Sequence, residues 1–178
     1  MNIVIVINGT GGSGKDTVVL NCKKYLLNEN ILVGNYSTVD VIKEIARNYV
    51  NWDNSKTERN RKFISDLKKV CKQYNNMPFN DVVNSINSTK TNPENKVFFI
   101  HSREPEEIQE FIDHFNKDEH VEFVKTLLVK RKDHIITSND SDKNVENFKY
   151  DYIILNDTDL DELNTKCKKL SKELIEYF

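Results

Sequence analysis

The sequence predicts an α/β fold, a parallel sheet with helices between its strands, and three observations carry that prediction. Short apolar runs rich in β-branched residues recur along the chain. Stretches with helical periodicity separate them. Four of the five glycines fall in one six-residue segment, Gly9-Thr10-Gly11-Gly12-Ser13-Gly14, directly after the first run.

The first run, Ile3 to Ile7, is continuous and apolar, as a strand buried on both faces requires. The glycine segment and Lys15 follow it, and Val18, Cys22 and Leu26 then repeat at i, i+4 as one face of a helix. Strand, glycine-rich loop, lysine and helix make the phosphate-binding loop of a nucleoside triphosphate site, with Gly9 and Gly14-Lys15 at the required spacing. In such a loop successive backbone N–H groups converge on the anion, and the helix adds its positive end. The candidate nucleotide-binding residues are therefore Gly9, Thr10, Gly11, Gly12, Ser13, Gly14, Lys15, Asp16 and Thr17. Lys15 is placed to span the β- and γ-phosphates and is a candidate catalytic cation. Asp16 stands where a Ser or Thr hydroxyl usually ligates Mg²⁺. A carboxylate is also a hard oxygen ligand, so Asp16 is the candidate metal residue, and its charge also suits a helix N-terminus.

The later elements follow in order. Ile31–Val33 reads as a second strand, and Ile42, Ile45, Ala46 and Tyr49 as a helix. Phe63, Leu67, Val70, Cys71 and Tyr74 mark the apolar stripe of a longer, charged helix. Pro78 opens a helix through Val82, Val83 and Ile86. Val97–Ile100 is a third strand, followed by a helix carrying Ile108, Phe111, Ile112 and Phe115. Thr126–Val129 and Tyr152–Leu155 are the fourth and fifth strands. Leu160, Leu163, Cys167, Leu170 and Leu174 form a terminal helix, with Asp157, Thr158 and Asp159 as capping candidates. The polar segment from Lys132 to Lys149 reads as a mobile insertion between the last two strands. Ligands of such a sheet bind beyond the carboxyl ends of its strands. That rule selects Asn8-Gly9, Tyr36 to Asp40, His101 to Glu104, Lys130 to Lys132 and Asn156-Asp157.

Composition narrows the function. At 178 residues one domain, 1–178, is the default. A net charge of −2 with acids and bases interleaved gives no basic field for nucleic acid. No apolar run approaches the about 20 residues of a membrane span, and the first run leads into the glycine loop rather than a cleavage site. Cys22, Cys71 and Cys167 have no metal spacing with one another or with the histidines and read as buried thiols, which favours the cytoplasm. After Gly34 the chain has no glycine, which excludes an Asp-x-x-Gly GTPase switch and the glycine-bearing signature of a transporter ATPase. Asn116-Lys117-Asp118-Glu119 is near a guanine-reading motif, but it follows a helix and reads as a solvated turn.

Several segments, taken in order, resemble the nucleoside monophosphate kinase family, above all phage-type deoxynucleoside monophosphate kinases and other adenylate kinase-like proteins. They are Ser13-Gly14-Lys15-Asp16-Thr17, Asp40-Val41-Ile42-Lys43, Arg61-Lys62-Phe63-Ile64, Ser102-Arg103-Glu104-Pro105-Glu106-Glu107, Lys130-Arg131-Lys132 and Tyr152-Ile153-Ile154-Leu155-Asn156-Asp157. The resemblance implies a P-loop NTPase three-layer fold with a five-stranded parallel sheet, a helical acceptor-binding insertion around 38–92 and a lid near 131–149. It implies ATP as phosphoryl donor, Mg²⁺, and a nucleoside or deoxynucleoside monophosphate as acceptor. It places Asp40, Arg61 and Arg103 at the acceptor, Arg131 among the catalytic cations of the lid, and Asn156 beside the adenine. Arginine suits these places because its planar fork holds phosphate bidentately. Arg47 and Arg59 are reserve cations, and Tyr36 and Trp52 are aromatic side chains that could stack on a base or lie in a core. The third strand departs from the pattern: it ends in His101, where relatives often place a magnesium-supporting Asp. A kinase of another phosphorylated metabolite and a nucleotide-binding regulator with weak catalysis are the alternative readings, and the oligomeric state is not legible.

Overall fold

A computed structural model of the chain describes residues 1–131 and 145–178. These divide into two compact units, residues 1–35 with 90–178 and residues 36–89.

The larger unit is built on a five-stranded sheet of order β2-β3-β1-β4-β5, formed by β1 (Asn2–Asn8), β2 (Leu32–Ser37), β3 (Lys96–His101), β4 (Phe123–Lys130) and β5 (Tyr152–Leu155). The pairings of β1 with β3, β1 with β4 and β4 with β5 are parallel, and they set Ile7 beside His101 and Asn8 beside Leu128. Strand alternation sorts side chains to the two faces. Ile3, Ile5, Ile7, Val97, Phe99, Leu127 and Val129 pack with α1 (Lys15–Asn28) and the C-terminal helix α6 (Leu160–Ile175) through Val18, Cys22, Leu26, Leu163, Cys167 and Leu174. Val4, Val6, Phe98 and Ile100 are buried at the alternate positions. Helix α5 (Pro105–Phe115) contacts β1 and β4 and buries Ile108, Phe111 and Phe115. The result is a three-layer α/β architecture with a parallel five-stranded sheet. Chain order moves from β1 outward to β2, back to β3, then to β4 on the far side of β1, so the direction reverses at β1 and β3. Ligands of open sheets bind beyond the carboxyl ends of strands at such a reversal.

The smaller unit contains α2 (Asp40–Val50), α3 (Glu58–Asn75) and α4 (Met77–Asn87), which contact one another. Ile42, Ala46 and Ile64 are buried together, with Phe63, Leu67, Cys71 and Trp52 packed against them. Thr57 caps α3 by accepting from the Asn60 backbone N–H at 3.3 Å.

Four expectations need correction. The second strand is Leu32–Ser37 rather than Ile31–Val33, and neither it nor β5 is buried on both faces. Both are edge strands, with a neighbour on one side only, so polar residues such as Asn35 are tolerated there. Val70 and Tyr74 lie outside the apolar stripe of α3 and are exposed, as is Tyr49 on α2. Cys71 is half-buried, although Cys22 and Cys167 are buried as expected. Asp118 is not solvated; it is nearly buried and pairs with Lys90.

Candidate nucleotide site

The glycine loop leaves the end of β1 in a conformation that most residues resist. Gly12 and Gly14 have φ of 79° and 97°, in the left-handed region. A Cβ at Gly14 would stand 2.4 Å from Asn156 Nδ2, and one at Gly9 would stand 2.4 Å from the Val129 carbonyl oxygen. Glycine is therefore required here by close packing of the loop against β4 and the β5 terminus. A turn bond from the Ser13 N–H to the Thr10 carbonyl, 3.2 Å, curls the loop, and α1 starts at Lys15.

Three side chains outside the loop hold it. Asn8, fully buried, accepts from the Gly9 N–H at 2.7 Å through Oδ1. Its Nδ2 donates to the Arg103 carbonyl (3.1 Å) and to the Tyr150 hydroxyl (2.7 Å). Tyr150 donates in turn to the Val145 carbonyl at 2.8 Å, and burial pushes its phenol up. Asn156 donates from Nδ2 to the Ser13 carbonyl at 2.9 Å, while its own N–H bonds the Lys130 carbonyl at 2.7 Å. With its carbonyls tied back in this way, the loop's geometry is fixed by the protein itself.

Lys15 curls over the loop: Nζ donates to the carbonyls of Gly9 at 2.5 Å and Thr10 at 2.9 Å. Ser13 Oγ is buried and has no hydrogen-bond partner among the described residues. Asp16 sits in the first turn of α1 with its carboxylate almost fully exposed. A half-buried lysine, an orphaned buried hydroxyl, a helix N-terminus and an open carboxylate oxygen fit a triphosphate carried with a hard divalent cation.

At the end of β3, His101 Nε2 lies 2.8 Å from Asn35 Oδ1 and 4.0 Å from Asp16 Oδ1. Next to it, Ser102 donates to Glu107 at 2.6 Å, both side chains being buried. The Ser102 N–H also bonds the Ile7 carbonyl, at 3.2 Å. These bonds fix the turn that carries Arg103, which is half-buried, from β3 into α5. Glu107 thus holds this turn through Ser102.

The structure brings Gly9 to Thr17, Arg103 and Asn156 to the carboxyl ends of β1, β3 and β5. Arg131 is exposed, one residue past β4. Most of the segment read as a lid, residues 132–144, lies outside the described residues. Asp40 and Arg61 belong to the smaller unit. Asp40 opens α2, exposed, with Lys43 Nζ at 3.8 Å. Arg61 is exposed on α3 and donates from Nε to the Lys56 carbonyl at 3.1 Å. Of the reserve residues, Arg47 donates to Asn54 Oδ1 at 3.2 Å, Arg59 is exposed on α3, and Trp52 packs in the core of the smaller unit. Asn35 and Tyr150 are site residues that sequence reasoning missed. Their partners lie far along the chain, and no local motif marks them.

Solved structures align with most of this chain at low identity. A cysteine-to-alanine mutant of the Mycobacterium tuberculosis APS kinase matches over 96% of this chain and 97% of its own, with 13% identity and a TM-score of 0.46. A de novo designed protein of P-loop NTPase fold matches over 98% of this chain and 92% of its own, with 14% identity and a TM-score of 0.40. The sequence matches no protein-family model and no curated protein. Among the described residues no helix is long and apolar enough to cross a membrane.

Proposed function

We propose that this protein is an ATP-dependent kinase that transfers the γ-phosphoryl group to a nucleoside or deoxynucleoside monophosphate. The observation that carries the reading is the glycine loop itself, tied by Asn8 and Asn156, with Lys15 poised over it at the sheet's reversal point. The order of motifs along the chain supplies the acceptor class.

Transfer between two phosphate-bearing molecules brings anions together, and catalysis consists mainly of aligning them and neutralising charge. In this proposal the backbone N–H groups of residues 10–15 hold the β- and γ-phosphates. Lys15 leaves the Gly9 and Thr10 carbonyls for the phosphate oxygens, which reward its charge more than neutral carbonyls do. A divalent cation bound with ATP would supply further neutralisation of the γ-phosphoryl, and Asp16 is the carboxylate placed to hold it. Arg103, on the turn fixed by Ser102 and Glu107, orients the acceptor phosphate. Arg61 and Asp40 are the acceptor residues proposed from the smaller unit, and Arg131 the cation that meets the transferring group. Asn156 lies beside the adenine.

Label transfer tests the reading. With ATP labelled in the γ-phosphoryl, label appearing in a nucleoside diphosphate supports it. Label appearing only in inorganic phosphate, for every monophosphate offered, contradicts it.

A further inference from the structure

We propose that His101, Asn35 and Asp16 form the protein's share of a divalent-cation site that favours a transition-metal ion such as Mn²⁺ over Mg²⁺. The inference rests on the nucleotide-site reading above, because the cation concerned is the one carried with the triphosphate. The three side chains converge from different elements: Asp16 from the first turn of α1, Asn35 from edge strand β2 and His101 from the end of β3.

The separations suit octahedral coordination. Ligands about 2.1 Å from one ion lie about 3.0 Å apart when adjacent and about 4.2 Å apart when opposite. His101 Nε2 stands 2.8 Å from Asn35 Oδ1 and 4.0 Å from Asp16 Oδ1. Exposure also fits, since Asp16 is open to an incoming ion while His101 is largely enclosed, its side chain 12% exposed. No three His, Cys, Asp or Glu side chains gather into a metal cluster among the described residues. This set instead combines one imidazole, one carboxylate and one amide carbonyl, leaving further positions for phosphate oxygens and water.

Ligand chemistry decides the preference. Mg²⁺ takes oxygen ligands and dehydrates reluctantly, whereas an imidazole nitrogen suits first-row transition metals. An all-oxygen set would favour Mg²⁺, and His101 at the end of β3 contributes a nitrogen. Ligation requires the neutral ring with its proton on Nδ1 and the Nε2 lone pair toward the ion. With the proton on Nδ1, Nε2 and Asn35 Oδ1 would both offer lone pairs to the ion.

The test uses the full chain, a non-hydrolysable ATP analogue and Mn²⁺ or Mg²⁺. Pulsed EPR of the Mn²⁺ complex reads imidazole nitrogen directly. Wild type is expected to show ¹⁴N modulation that moves to ¹⁵N frequencies when histidine alone is ¹⁵N-labelled, and His101→Asp is expected to lack it. The preference of analogue binding for Mn²⁺ over Mg²⁺ is expected to fall by about tenfold or more in that variant. The labelling experiment needs no variant, so a failure of His101→Asp to fold would not blunt the test. Analogue binding in wild type without a histidine-dependent signal overturns the metal assignment and leaves the nucleotide reading standing. Absence of analogue binding with either cation overturns both.

Discussion

The side-chain nitrogen of Asn156 donates to the Ser13 carbonyl at 2.9 Å and stands 2.4 Å from where a Cβ on Gly14 would lie. One contact therefore holds the loop and forbids a side chain at its last glycine. Gly14→Ala should lower stability by about 1–3 kcal/mol from backbone strain, with the clash added, and should weaken nucleotide binding. In an Asn156→Ala background the clash disappears and only the strain remains, so Gly14→Ala should cost less there. Equilibrium unfolding of the four proteins in this cycle reads the difference.

Lys15 Nζ donates to the Gly9 and Thr10 carbonyls of the loop, and its removal should bear more on function than on stability. We predict that Lys15→Ala weakens ATP-analogue binding by about ten- to a hundredfold, the worth of a charge-assisted hydrogen bond to phosphate. Its unfolding free energy should change by no more than about 1 kcal/mol. Calorimetric titration and denaturant unfolding on one preparation check both halves.

Arg103 and Arg61 lie in different units, and the proposal gives both to the acceptor. Each alanine variant should raise the acceptor's KM by about tenfold or more while leaving that of ATP nearly unchanged. Arg103→Lys should recover less than half of the lost binding free energy, because a point charge cannot reproduce the bidentate fork. An equal rise in both KM values would place Arg103 on the donor side.

Asp81, in the smaller unit, is held above the usual carboxylate range, first by burial and then by the charges of Glu44 and Asp40. An acid whose folded value is raised binds its proton more readily folded than unfolded. Its contribution to stability is thus fully present below the unfolded value, near about pH 4, and is lost as pH rises through the raised one. Asp81→Asn should therefore raise the melting temperature at pH 7 and bring little change below about pH 3. Melting curves across that range decide the matter. A variant less stable than wild type at pH 7 would mean that the ionised carboxylate contributes favourable bonds.

Local signals made much of this molecule legible in the sequence. The solid apolar runs of β1, β3 and β4 marked strands covered on both faces, and the glycine cluster with Lys15 marked the loop. Edges were harder to read: Gly34-Asn35-Tyr36-Ser37 carries no strand signature, because an edge strand with half-exposed residues needs neither alternation nor a continuous apolar run. Val70 and Tyr74 matched a helical stripe by spacing, yet α3 buries a narrower face through Ile64, Leu67 and Cys71. The polar links were hidden for another reason. Asn8 to Tyr150, Asn35 to His101 and Asn156 to Ser13 join residues far apart in the chain, and such pairs exist only once the sheet order is known.

Kinase activity is tested most directly by ADP release from ATP across the common ribo- and deoxyribonucleoside monophosphates, with Mg²⁺ and with Mn²⁺, beside the Lys15→Ala control. A nucleotide kinase releases ADP in response to one or a few of these acceptors, and the release disappears in the control. Tight ATP binding with no stimulation by any monophosphate, under either cation, would contradict a kinase function.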